Sequence, residues 1–172
     1  PAGVSDRQFR FDYLDERIKA HNSLSAFAYL SSDIPKIMTR LQAVADSAPG
    51  LPCPLVVMDT APAAVLGADF DSAVANHKRK IICNVGNFHT LAFHLRQGAI
   101  AGLFEHHTGK LSQAQLEDLL TRLAAGTLSN DEVFGGQGHG ALIVDRSPTG
   151  PDGLWVAATG PRRGLLASSR LK

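Results

Sequence analysis

The sequence is poor in cysteine and tryptophan, shows no excess of either charge, and contains no long apolar run. Its two cysteines, Cys53 and Cys83, stand thirty positions apart. That spacing makes neither a disulfide framework nor a zinc motif. It also leaves this chain too few thiolates for an iron–sulfur cluster, which usually takes three or four from the protein. Cys83 lies in an apolar, β-prone run and reads as a small buried hydrophobe. Seventeen basic against sixteen acidic residues give a formal charge of +1, so nothing electrostatic recommends a nucleic-acid partner. The apolar runs fall far short of the roughly 18 residues that a membrane helix needs. No secretory leader is visible, and the chain reads as cytoplasmic. The 172 residues, 44% apolar and 19% charged, can bury one core or two small lobes. The first residue is Pro1 rather than Met, as expected of a fragment or a trimmed product.

What is present is an alternation of helical and strand patterns. Phe9, Phe11, Leu14 and Ile18 form a loose apolar stripe and predict a short helix over 12–20. Residues 26–30 read as a strand. Ser31, Ser32 and Asp33 offer caps, and Pro35 suits the first turn of a helix predicted over 34–47. There Ile37, Met38, Leu41, Val44 and Ala45 recur at helical spacing. Residues 55–58 have the unbroken apolar character of a strand covered on both faces. Asp59 falls at its end, and Thr60 can cap the Ala-rich helix that follows. Residues 69–80 are polar, and the basic cluster at 77–80 reads as a solvated loop.

Three strands then arrive close together, over 80–85, 90–95 and 99–104, with Arg96-Gln97-Gly98 as a turn. Ser112 and Gln115 form a capping box. It opens a helix carrying Leu116, Leu119, Leu120 and Leu123, with Gly126 just past its end. Ser129 caps a short turn, and residues 135–140 are a glycine-rich segment able to act as a lid. The last strands are 141–144 and 154–158. The order predicts an α/β protein: residues 71–172 as a ribonuclease-H-like lobe, with a meander, a helix and further strands. Residues 1–70 would supply the preceding helices, the last strand of a first lobe and a connecting helix.

Several residues carry chemistry. Asp59, at a strand end and helix start, can act as a general base or hold a metal ion, and can equally interact with the helix dipole. The turn Asn84-Val85-Gly86-Asn87-Phe88-His89-Thr90 can offer backbone N–H groups to an anion. An ordinary hairpin there would need positive φ at Gly86 and Asn87. Thr159-Gly160-Pro161-Arg162 follows a strand and can hold phosphate through N–H groups and an arginine. Five of the seven histidines, His89, His94, His106, His107 and His139, fall within 51 residues. His89 and His94 are five apart, so alternation puts them on opposite faces. Glu105, His106, His107 and His139 suit a first or second shell for Zn²⁺ or Fe²⁺. Phosphate binding and a hydrogen-bonded structural cluster are the other roles open to them.

Met58-Asp59-Thr60-Ala61-Pro62, Asn84 to Thr90, Phe104-Glu105-His106-His107-Thr108-Gly109, Gly138-His139-Gly140-Ala141 and Thr159-Gly160-Pro161-Arg162 resemble a family of microbial proteins labelled as pyruvate formate-lyase activating enzymes. Glycyl-radical activation implies three clustered cysteines, which this sequence does not have. More distantly, the layout resembles the second lobe of the acetate and sugar kinase, Hsp70 and actin superfamily. That resemblance implies an actin-like ATPase fold, with ATP and Mg²⁺ as cofactors and a small molecule as phosphate acceptor. Asp59 would fall on the base position, with Asn84, Gly86, Asn87, His89 and Thr90 around the phosphate. Thr159, Gly160 and Arg162 would border the nucleotide. Asn84 stands where many members carry Asp. The first phosphate loop of such proteins would lie before Pro1, in an N-terminal lobe missing from this chain.

Overall fold

The structure is a computed structural model and describes residues 6–147 and 154–171. Its helices are α1 (Asp6–Ala20), α2 (Thr39–Asp46), α3 (Thr60–Asp69), α4 (Ser72–Ala75), α5 (Gln113–Ala125) and α6 (Asn130–Gly135). Its strands are β1 (Ala28–Leu30), β2 (Val56–Met58), β3 (Arg79–Val85), β4 (His89–Arg96), β5 (Ala99–His107), β6 (Gly140–Ile143) and β7 (Trp155–Thr159). Strands β1 and β2 pair with each other in a separate ribbon. The other five form one sheet in the order β6-β5-β4-β3-β7. Strands β3, β4, β5 and β6 pair antiparallel in sequence, and β7 returns parallel to β3.

Strands β3 to β5 are buried almost end to end, which is why they read as unbroken apolar runs. Each face of the sheet feeds its own core. On one face, Ile82, Leu91, Phe93 and Leu103 pack with Phe11, Leu14 and Ile18 of α1 and Val65 of α3. On the other, Ile81, Cys83, Val85, Ala92 and Phe104 meet Leu116, Leu120 and Leu123 of α5. Helices therefore cover both sides of a mixed sheet, and the α/β class expected from the alternation is what forms. None of the described helices is long and apolar enough to cross a membrane.

Local chemistry explains the boundaries. Ser112 with Gln115 and Ser129 with Glu132 form complete capping boxes that start α5 and α6. Gly126 closes α5 at φ +68, the left-handed turn that glycine adopts freely. Helix α2 begins at Thr39, five residues later than its periodicity suggested. Ser31–Asp33 coil into a 3₁₀ turn of their own, and the Pro35 carbonyl accepts the Met38 N–H, so the expected caps are used before the helix starts. Helix α3 is capped by Asp59 rather than Thr60: the carboxylate accepts the Thr60 N–H at 2.7 Å. Part of the expected 69–80 loop is α4, capped by Asp71. Between His94 and Leu95 the β4–β5 register shifts by one. Leu95 faces Ile100 while His94 faces Gly102, which leaves Ala101 as the extra residue of a bulge.

Candidate functional site

The site lies at the sheet end where β3 stops and β4 begins. Gly86 N–H donates to the His89 carbonyl at 2.9 Å and closes the turn. Neither Gly86 nor Asn87 has positive φ; in the meander that conformation falls at Gln97 and Gly98 in the next turn. Gly86 is required for closeness instead. A Cβ there would stand 2.6 Å from the His89 carbonyl oxygen, inside any tolerable contact.

Register places His89 opposite His107, and Leu91 opposite Glu105. Directly opposite residues project from the same face, so His89, Glu105 and His107 share one side. The chain after α6 then delivers a third imidazole. His139 N–H donates to the Glu105 carbonyl at 2.9 Å, and the next residue, Gly140, pairs with Glu105 as β6 begins. The three rings of His89, His107 and His139 meet with centroids 4.5 to 5.2 Å apart. One ring nitrogen from each lies within 4.8 Å of the other two. His89 is exposed, and His107 and His139 are half-buried. The carboxylate of Glu105, 2% exposed, approaches His89 Nδ1 to 3.8 Å.

His106 does not join this group. It alternates to the opposite face, 5% exposed, with Nε2 3.1 Å from the Gly136 carbonyl. Thr90 also lies on that face, its hydroxyl 3.0 Å from that of Thr108. His94 is buried there as well. The alternation expected between His89 and His94 is what the register shows.

The two other predicted loops converge on the end of β3. Asn84 pairs in register with Thr159 of β7. The Arg162 N–H donates to the Val85 carbonyl at 3.0 Å. Gly160, at φ +96, presses so close that a Cβ would lie 2.5 Å from the Val85 oxygen and 3.0 Å from Asn84 Nδ2. Asn87 and the Arg162 side chain are exposed. Helix α3 packs on the Ile82 face of the sheet through Val65. Its last residue, Asp69, forms an ion pair with Lys80 at the start of β3. Asp59 caps the opposite, N-terminal end of this helix.

Residues 1–165 match the family described as "Putative pyruvate format-lyase activating enzyme (DUF1786)". The chain belongs to this family. No curated protein matches it, and no solved structure matches it. The chemistry in the family's description would use a thiolate-held cluster, and the residues of this member do not fit one. Cys53 is exposed on a loop, whereas Cys83 is fully buried. Burial pushes the Cys83 thiol up to about 12, so it stays protonated within its apolar layer. What this family member does bring together is imidazole. Histidine crowding in the sequence pointed to that. The membership of His89 depends on a strand register that no local pattern reports.

Proposed function

We propose that this chain is a metal-binding module, with a divalent transition metal held by His89, His107 and His139. The observation that carries the reading is the approach of three imidazole nitrogens to within 4.8 Å of one another. Three nitrogens each about 2.1 Å from one tetrahedral ion lie roughly 3.4 Å apart. Closing the set therefore takes a movement on the order of 1 Å. The exposed His89 and the glycine-flanked His139 can supply it by side-chain rotation. Neutral imidazoles with a nearby carboxylate suit Zn²⁺ or Fe²⁺. In this reading the same ring rotation would bring His89 Nδ1, now 3.8 Å from the Glu105 carboxylate, within hydrogen-bond reach and leave Nε2 for the ion, as outer carboxylates do in many histidine sites. Three protein ligands would leave a fourth position for water or substrate.

The test is metal analysis of untagged protein together with a Co²⁺ titration of the stripped chain. About one equivalent, lost in His107→Ala, is the expected result. Less than about a tenth of an equivalent with no titratable cobalt would end the reading, since tight sites survive purification.

A separate observation supports a second reading, that of an ATP-binding lobe related to the actin and sugar kinases. Gly160 backs onto Asn84 and Val85, so the turns around Gly86 and Gly160 share the end of one strand. The meander, the intervening helices and a strand returning parallel to β3 are consistent with a ribonuclease-H-like order. In this reading Asp59 serves as base, Asn84, Gly86, Asn87, His89 and Thr90 surround phosphate and Mg²⁺, and Thr159, Gly160 and Arg162 border the nucleotide. An N-terminal lobe would complete the cleft. Titration calorimetry with ATP and Mg²⁺ decides it: no heat and no protection against thermal unfolding removes the idea.

A further inference from the structure

We infer that His106 is a positioning residue: it fastens the glycine loop that presents His139 to the metal. The inference rests on the metal reading above and concerns a side chain outside the three-histidine group. Three consecutive residues of β5 serve the cluster in three different ways. His107 contributes its ring. Glu105 holds the His139 backbone through its carbonyl. His106, from the far face, reaches the loop itself.

The loop from Gly135 to Gly140 is tied to α6 by its backbone: the Gly136, Gln137 and Gly138 N–H groups donate to the Glu132, Phe134 and Val133 carbonyls at 2.9, 3.2 and 2.8 Å. Gln137 is exposed and adopts φ +67. The glycines offer no side chains. Nε2 of His106 donates to the Gly136 carbonyl at 3.1 Å, while Nδ1 lies 3.2 Å from the His107 carbonyl. Two residues on, Gly138 is buried against the same ring. A Cβ at Gly138 would meet His106 Cδ2 at 2.7 Å and Val133 Cγ1 at 2.6 Å. The imidazole is thus bonded to the loop at Gly136 and packed under it at Gly138, directly before His139. Removing the ring takes a hydrogen bond from the Gly136 carbonyl and the packing from beneath Gly138, so the backbone ties to α6 and to the Glu105 carbonyl must hold His139 without a side-chain support. Losing supports of this kind typically weakens metal binding by about 10–100-fold.

The experiment is a Co²⁺ titration of the stripped full chain, read by its visible absorption, for wild type, His106→Ala, His106→Gln and Gly138→Ala. In His106→Ala the affinity should fall by about 10–100-fold, and the cobalt bands should weaken as one nitrogen leaves. His106→Gln retains an N–H donor for the Gly136 carbonyl and should recover most of the loss. Gly138→Ala drives a Cβ against both the His106 ring and the Val133 side chain and carbonyl and should weaken binding at least as much as His106→Ala. The apo unfolding midpoint of each variant shows whether the fold is retained. Wild-type affinity in folded His106→Ala overturns the inference. If that variant does not fold, wild-type affinity in Gly138→Ala, or failure of His106→Gln to bind better than Gly138→Ala, overturns it equally. A wild-type chain that takes up no cobalt is a different outcome, and it overturns the metal reading itself.

Discussion

Replacing Gly160 by alanine should destabilise the protein by two separable effects. The first is conformational. At φ +96 an L-residue suffers backbone strain of about 1–2 kcal/mol. The second is overlap: the new Cβ would lie 2.5 Å from the Val85 oxygen and 2.9 Å from its carbon. Relief requires the turn to lift by roughly 1 Å, to an ordinary contact near 3.5 Å. The Arg162 N–H is held to that same oxygen at 3.0 Å, and a lift of that size breaks the bond. Its loss costs about 0.5–1.5 kcal/mol, for a total of about 1.5–3.5 kcal/mol. Gly50 provides the control. It also has positive φ, +74, yet no atom lies within 4 Å of its would-be Cβ, so Gly50→Ala should show the conformational effect alone. Urea unfolding of both variants, followed by the single tryptophan, Trp155, reads the difference. For a chain of this length the Gly160→Ala midpoint should fall by roughly 3–14 °C in a thermal melt. Equal losses in the two variants, within about 0.5 kcal/mol, would refute the overlap argument.

Asp69→Ala should strand the Lys80 ammonium, whose side chain is 6% exposed, with the Val74 carbonyl at 3.2 Å as its nearest remaining partner. A loss of about 3 kcal/mol in urea unfolding is expected, and Lys80→Met added to it should restore much of that; no restoration would contradict the burial argument. His94 is 1% exposed, and burial, reinforced by the nearby Arg96 guanidinium, lowers its pKa to about 4 against the pull of Asp145. The unfolded chain therefore binds the proton first as pH falls. The stability this contributes is complete above about 6.5 and is lost toward pH 4, on the order of 3 kcal/mol in all. His94→Gln should flatten that part of the wild-type stability–pH curve, and an unchanged slope would show that His94 is not its source.

The sheet was legible because its central strands are covered on both sides, so 80–85, 90–95 and 99–104 appear as apolar runs with turns between them. The capping residues of α5 and α6 were legible because Ser112 and Ser129 act on neighbours three positions away. Helix α2 shows the limit of periodicity. Its apolar residues recur correctly, yet none is buried and Val44 is 52% exposed. Spacing alone did not reveal that Pro35 had already turned the chain. The destination of β6 was equally hidden. It joins the far edge beside β5, and that long-range choice brings His139 to His89 and His107. A crowd of histidines could be seen in the sequence, but which of them share a side depends on pairing between strands.

That pairing hangs on Ala101. Its carbonyl accepts the N–H groups of both Val144 and Asp145, which pins the surplus residue in place. Were it taken into the regular ladder instead of bulging out, the strand partners beyond it would move by one step, and His89 would sit across from His106 instead of His107. The odd and even positions of β5 would trade sides, sending His107 and the Glu105 carboxylate to the wrong compartment while every strand remained a strand. A lone alanine, six positions along the strand from His107, thus sets the parity of the cluster. Removing the residue outright would straighten the ladder and leave His89 across from His107, so it is how Ala101 is accommodated that decides the pairing.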